Sequence, residues 1–158
     1  MAALEIPVQD SRRYFILPQS PEESGYYTYG LPKNGVGQYT HPALINALFA
    51  VERHWSLMDE RKFGIGNISL YDGKKFSGHD SHRSGLDVDI RPIRRDGKQL
   101  GVTRFDANYD RDATARLIEL FFCLARVKLV YFNDISIPGV RSLAGHDNHF
   151  HVTIKAPR

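Results

Sequence analysis

The sequence predicts an α+β fold, a mainly antiparallel sheet with helices packed against it, in a single domain over residues 1–158. Two patterns carry this expectation. Leu44, Leu48, Val51 and Trp55, and later Leu117, Phe121 and Leu124, recur at helical spacing. Leu86-Asp87-Val88-Asp89-Ile90 and His149-Phe150-His151-Val152-Thr153-Ile154 instead alternate apolar and polar side chains, the period of a strand with one face buried.

In chain order, residues 1–39 read as an irregular arm with one short strand at Tyr14–Leu17, and Tyr26, Tyr27 and Tyr29 are expected to pack over a sheet edge, with the lining of a substrate groove as the alternative. Thr40 is the expected N-cap of a first helix running to about Leu57. Ile65–Leu70 reads as a strand, followed by a turn at Asp72-Gly73. A loop then leads into the strand Leu86–Ile90, and Arg95-Asp96-Gly97-Lys98 marks a further turn. Asp110 caps a second helix to about Val127, and the strands Leu129–Phe132 and His149–Ile154 close the chain. Arg91 to Lys98 is expected to be a solvated hairpin face, although its arginines could also grip a carboxylate.

The histidines gather in two places. Gly78-His79-Asp80-Ser81-His82 runs on to Asp87 and Asp89, and Gly145-His146-Asp147-Asn148-His149-Phe150-His151 lies near the C-terminus. Alternation buries Leu86, Val88 and Ile90 on one side and Phe150, Val152 and Ile154 likewise, so Asp89, His149 and His151 aim into one cleft. His82 arrives from the loop before the first of these strands. Ligands of the type His, Asp and His leave an open position on a tetrahedral Zn2+, which is the pattern of a catalytic site. His41 and His54 stand alone and read as ordinary helix residues.

At these residues the chain resembles the penicillin-insensitive murein endopeptidases, within the superfamily that joins lysostaphin-type enzymes, D-Ala-D-Ala metallopeptidases and hedgehog domains. Ser81-His82 followed by Gly85-Leu86-Asp87-Val88-Asp89-Ile90 is similar to the family's first motif, and His146-x-x-His149-x-His151 to its last. The likeness continues through Thr40–Ile45, Ile65–Ser69 and Val130–Asn133. It implies a hedgehog and D-Ala-D-Ala-peptidase-like fold with a zinc cleft, and the metal ligands His82, Asp89 and His151. It further implies a catalytic His149 with accessory active-site histidines His79 and His146. Asp87, on the same face as Asp89, is expected to orient a ligand histidine or stabilise the loop. Arg83 departs from the family motif, where a glutamine is expected. The implied substrate is peptidoglycan, cut at its peptide cross-links, most specifically D-alanyl to meso-diaminopimelyl bonds. A D-Ala-D-Ala dipeptidase or carboxypeptidase and a non-catalytic zinc-bound wall-binding module are the alternatives.

A two-histidine phosphoesterase would need His79-Asp80-Ser81 and His151-Val152-Thr153 on paired strands, and it leaves His82, Asp89, His146 and His149 without a role. The net charge of +3 is too small to argue nucleic-acid binding. The start Met1-Ala-Ala-Leu-Glu-Ile-Pro lacks a basic, apolar secretory leader, and no segment is suited to span a membrane. The expectation is synthesis in the cytoplasm and action on the periplasmic wall after phage lysis, as an endolysin, or through dedicated secretion of an effector. An effector would imply an inhibitor or immunity partner; a leader removed from the natural start is the remaining route. The lone Cys123 is expected to be a buried, inert thiol.

Overall fold

The computed structural model describes residues 8–158, so the first seven residues of the arm, and most of the segment read for a leader, lie outside the described residues. The elements are β1 (Phe15–Ile16), β2 (Tyr26–Thr28), β3 (Tyr39–Thr40), α1 (Pro42–Met58), β4 (Phe63–Ile65), β5 (Asp87–Ile90), α2 (Arg111–Leu124), β6 (Val127–Tyr131) and β7 (Phe150–Ile154). Five strands form the main sheet in the order β2-β4-β5-β7-β6, and β1 pairs separately with β3. The β4–β5, β5–β7 and β7–β6 pairs are antiparallel; β2 joins β4 in parallel. The expected α+β class with a mainly antiparallel sheet is therefore observed. No helix among the described residues is long and apolar enough to cross a membrane.

Helix α1 begins at Pro42, whose missing N–H costs nothing in the first turn. Its cap is His41, not Thr40: His41 Nδ1 accepts from the backbone N–H of Ala43 at 2.9 Å. Thr40 is unavailable because it is paired with Phe15 in β3 and donates its hydroxyl to Gln38 O. Leu44, Ala47, Leu48, Val51 and Trp55 form the buried stripe of α1. Asp110 caps α2 as expected, accepting from Ala113 N at 3.0 Å, and Leu117, Ile118 and Phe121 turn inward.

Both stripes share one core with Phe63, Ile65, Val88, Ile90, Val130, Phe150, Val152 and Ile154 from the sheet. Phe121 meets Phe150 edge-on, and Trp55 meets Phe63 in the same way. Burying each such side chain is worth about 1.5–3 kcal/mol, which anchors one face of the sheet firmly. The register then fixes the other face. Asp89 lies opposite His151, and Asp87 opposite Thr153.

Three further expectations need correction. Part of the arm is ordered into the sheet as the edge strand β2. The fourth strand is Phe63–Ile65 and not Ile65–Leu70: beyond Ile65 the chain leaves the sheet, and Ser69 makes only an isolated bridge to Gln38. Cys123 is exposed, because it lies on the side of α2 opposite the Leu117–Phe121 stripe.

Candidate metal centre

The site is assembled on the open face of β5 and β7, with the preceding loop of each strand adding histidines. His82 Nε2, Asp89 Oδ1 and His151 Nδ1 converge: Asp89 Oδ1 is 3.2 Å from the first and 3.1 Å from the second nitrogen. One ligand atom from each of the three residues lies within 4.8 Å of the others, which makes them a group able to hold a metal ion. Bonds of about 2.0–2.1 Å at tetrahedral angles place neighbouring ligand atoms roughly 3.3 Å apart, close to the two separations from Asp89 Oδ1.

The outer atoms of the ligand set explain its orientation. His82 donates from Nδ1 to Ile68 O at 3.1 Å, which fixes the proton there and leaves Nε2 a lone pair for the centre. His151 is turned the other way. Its Nε2 donates to Asp87 Oδ1 at 3.1 Å, which leaves Nδ1 facing Asp89. Asp87 is itself held by the Thr153 hydroxyl at 2.6 Å and accepts the His82 backbone N–H through its second oxygen at 3.3 Å. One carboxylate thus braces both histidines. His82 also holds a left-handed backbone with φ of 61°, a conformation costing an L-residue roughly 1–2 kcal/mol and here sustained by bonds on both sides of the residue.

The electrostatics favour a cation. Burial alone would lower the pKa of His151, but the carboxylates of Asp87 and Asp89 outweigh it and raise it to about 9. Burial likewise opposes ionisation of Asp89, while the His151 and His82 rings set against its carboxylate outweigh it and hold it well below the usual carboxylate range. Two imidazoles and a carboxylate converge here with their outer atoms satisfied, and that donor set fits a divalent metal.

His149 sits one residue before β7, with Nε2 3.7 Å from Asp89 Oδ1 and Nδ1 2.7 Å from the Asn148 side-chain oxygen. Burial holds its imidazole below its ordinary pKa despite the Asp89 charge. His146 stacks obliquely on His149, with ring centroids 4.7 Å apart, and its Nδ1 donates to Leu143 O and Ala144 O. His79 is exposed on its loop, with its ring centroid 6.5 Å from that of His82. It is not on a strand, so the paired-strand geometry of a two-histidine phosphoesterase is not formed.

Sequence reading missed the supports of these loops. Asp147 accepts from Arg104 Nε at 2.9 Å and from Asn133 Nδ2 at 3.2 Å, and Asn133 N donates to His146 O. On the other side, Arg12 donates to Arg83 O at 2.6 Å and to Leu70 O, while Asp10 accepts from Arg12 and from Asp72 N. Arg83, the residue that departs from the motif, donates to Gly73 O at 3.0 Å and so ties down the loop beside His82.

The sequence profile of the penicillin-insensitive murein endopeptidases matches residues 19–114, more than half of the chain. The chain belongs to that family. The matched span contains His79, His82, Asp87 and Asp89, and the fold brings His146, His149 and His151 to it from outside the span. A curated relative, the penicillin-insensitive murein endopeptidase of Haemophilus influenzae, is 26% identical over 167 residues, covering 87% of this chain and 58% of the relative. The chain thus spans little more than half the length of that relative.

Proposed function

We propose that this family member is a zinc-dependent endopeptidase that hydrolyses peptide cross-links of peptidoglycan, the D-alanyl to meso-diaminopimelyl bond in particular. The observation that carries the reading is the convergence of His82 Nε2, Asp89 Oδ1 and His151 Nδ1, each outer nitrogen being tied to a protein acceptor. Two imidazoles and one carboxylate leave an open position on zinc, the arrangement of catalytic sites. Zinc held there would supply Lewis-acid chemistry, lowering the pKa of water to about 7 and polarising the scissile carbonyl.

The remaining chemistry belongs to the chain. His149 Nε2 faces the ligand set and accepts the proton of the attacking water, then returns it to the departing amine. Asn148 holds the opposite nitrogen of that ring, which keeps Nε2 directed inward. His146 packs on His149 and, with His79 on the facing loop, lines the cleft where the tetrahedral oxyanion develops. Asp87 keeps His151 in the required tautomer.

Mass spectrometry of muropeptides after digestion of purified peptidoglycan tests this reading. Dimeric muropeptides should become monomers, with glycan strands intact. Cleavage confined to free D-Ala-D-Ala dipeptides would assign a dipeptidase, and absence of any cleavage by zinc-loaded protein would leave a wall-binding module.

A further inference from the structure

The open face of the sheet extends beyond the histidines. Asp87 and Asp89 share that face of β5, and Arg91, one residue past the strand but still bonded through its N–H to Gly64 O, continues the alternation roughly 7 Å along the strand direction from Asp89. The Arg91 guanidinium carbon lies 3.9 Å from the Tyr29 ring centroid and 6.0 Å from that of Tyr27. The tyrosines reach this position because β4 offers them glycines. A Cβ at Gly64 would come within 2.8 Å of Tyr27 Cζ, and one at Gly66 within 2.6 Å of Tyr29 Cζ. The two rings therefore lie against the bare sheet, and Gly66 N in turn donates to Asp89 O at 2.8 Å. A floor of two tyrosines runs from the ligand strand to the sheet edge.

Arg91 differs from the paired arginines near it. Arg94 is paired with Asp96, Arg61 with Asp59 and Asp110, and Arg104 with Asp147. The Arg91 side chain has neither an ion pair nor a hydrogen bond among the described residues; its guanidinium lies over the Tyr29 face and, farther off, that of Tyr27. The hairpin reading applies to Arg94 through Lys98, where Asp96 accepts from both Arg94 and Lys98 N, but not to Arg91. A guanidinium held by its face keeps its N–H fork free, and that fork matches a carboxylate.

We propose that Arg91, seated on Tyr29, is the specificity residue that binds the free carboxylate on the amine side of the scissile amide. This rests on the endopeptidase reading above. In a cross-link the acyl-side alanine has its own carboxyl group in the scissile bond, so it offers no free carboxylate. The diamino acid on the other side carries one on the same carbon as the scissile nitrogen. That group lies within about one residue length, roughly 3.8 Å, of the reacting carbon, and a substrate lying along the tyrosine floor presents it toward Arg91.

The test uses two synthetic cross-linked dimers, with a carboxylate or a carboxamide at that carbon, and zinc-loaded wild type, Arg91→Gln and Arg91→Lys. Wild type should favour the carboxylate dimer by about 10- to 100-fold in kcat/KM. Arg91→Gln should lose this preference by falling on the carboxylate dimer alone, and Arg91→Lys should keep part of it. An equal loss on both dimers, or a preference that survives in Arg91→Gln, overturns the proposal. Calorimetry with the amine-side fragment, as acid and as amide, separates it from the parent reading. Tighter binding of the acid that depends on Arg91, with neither dimer cleaved, would defeat the endopeptidase reading and keep the subsite. Equal binding of the two fragments by wild type would defeat the subsite.

Discussion

Asp87 accepts the Nε2–H of His151 at 3.1 Å from a position two residues before Asp89, so one short strand supplies both a candidate ligand atom and the brace of the histidine opposite it. The brace is strengthened by Thr153, whose hydroxyl donates to the same oxygen at 2.6 Å. Asp87→Ala should weaken metal affinity by about 10- to 100-fold without abolishing binding, the usual effect of removing such a partner. Titration with a competing chelator measures it. Affinity unchanged from wild type would remove Asp87 from the metal centre.

His149 should serve the reaction and not metal retention. Its Nε2 faces Asp89 Oδ1 at 3.7 Å, farther than the nitrogens of His82 and His151. His149→Ala should lower kcat by about 100- to 10,000-fold, the range for loss of a general base. Metal content should stay at the wild-type value. Metal loss in the purified variant would make His149 a ligand, and near-normal turnover would make it a wall of the cleft.

Arg12 joins the chain's beginning to the loop that carries His82. It pairs with the fully buried Asp10 carboxylate at 2.6 Å and also reaches Arg83 O and Leu70 O. Arg12→Ala leaves that carboxylate without its cation, and breaking a buried pair in this way costs about 3–5 kcal/mol. Chemical denaturation should show a loss of that order; a change below about 0.5 kcal/mol, typical of plain surface sites, would contradict the anchor.

Arg61 links the two helix ends, donating to Asp59 past the end of α1 and to the cap Asp110 of α2. Hydrogen bonding from Arg61 holds Asp59 below its ordinary value of 3.8. Burial pushes Asp110 up, but the Ala113 N–H and Arg61 outweigh it and the net shift is again downward. Both groups bind fewer protons folded than unfolded, so their contribution is present above about pH 4 and lost as pH falls through the lowered values. Arg61→Ala should flatten the acid limb of the stability curve below pH 4. An acid limb as steep as that of wild type would refute the link.

The alternating stretches were legible because one buried face imposes a period of two. They correctly place β5 and β7, and with them Asp89 opposite His151. The Asp110 cap was equally local. Strand β2 was hidden because three residues in a proline-punctuated segment become a strand only by pairing with β4. Gly64, a poor strand former by itself, pulled the reading of β4 toward Ile65–Leu70; its role is to receive Tyr27. The Asp10–Arg12 anchor left no local trace, since its partners Leu70, Asp72 and Arg83 are 58 to 71 residues away. The Asp147 supports of the histidine loop, Arg104 and Asn133, are equally remote from any periodic signal.

The most direct test of the centre is metal analysis of the intact, chelator-free protein beside its Asp89→Ala variant. Asp89 Oδ1 lies close to both His82 Nε2 and His151 Nδ1, so removing it takes away the one carboxylate of the set. Wild type should carry about one zinc per chain, and the folded variant almost none. Stoichiometric zinc persisting in Asp89→Ala would contradict this ligand assignment.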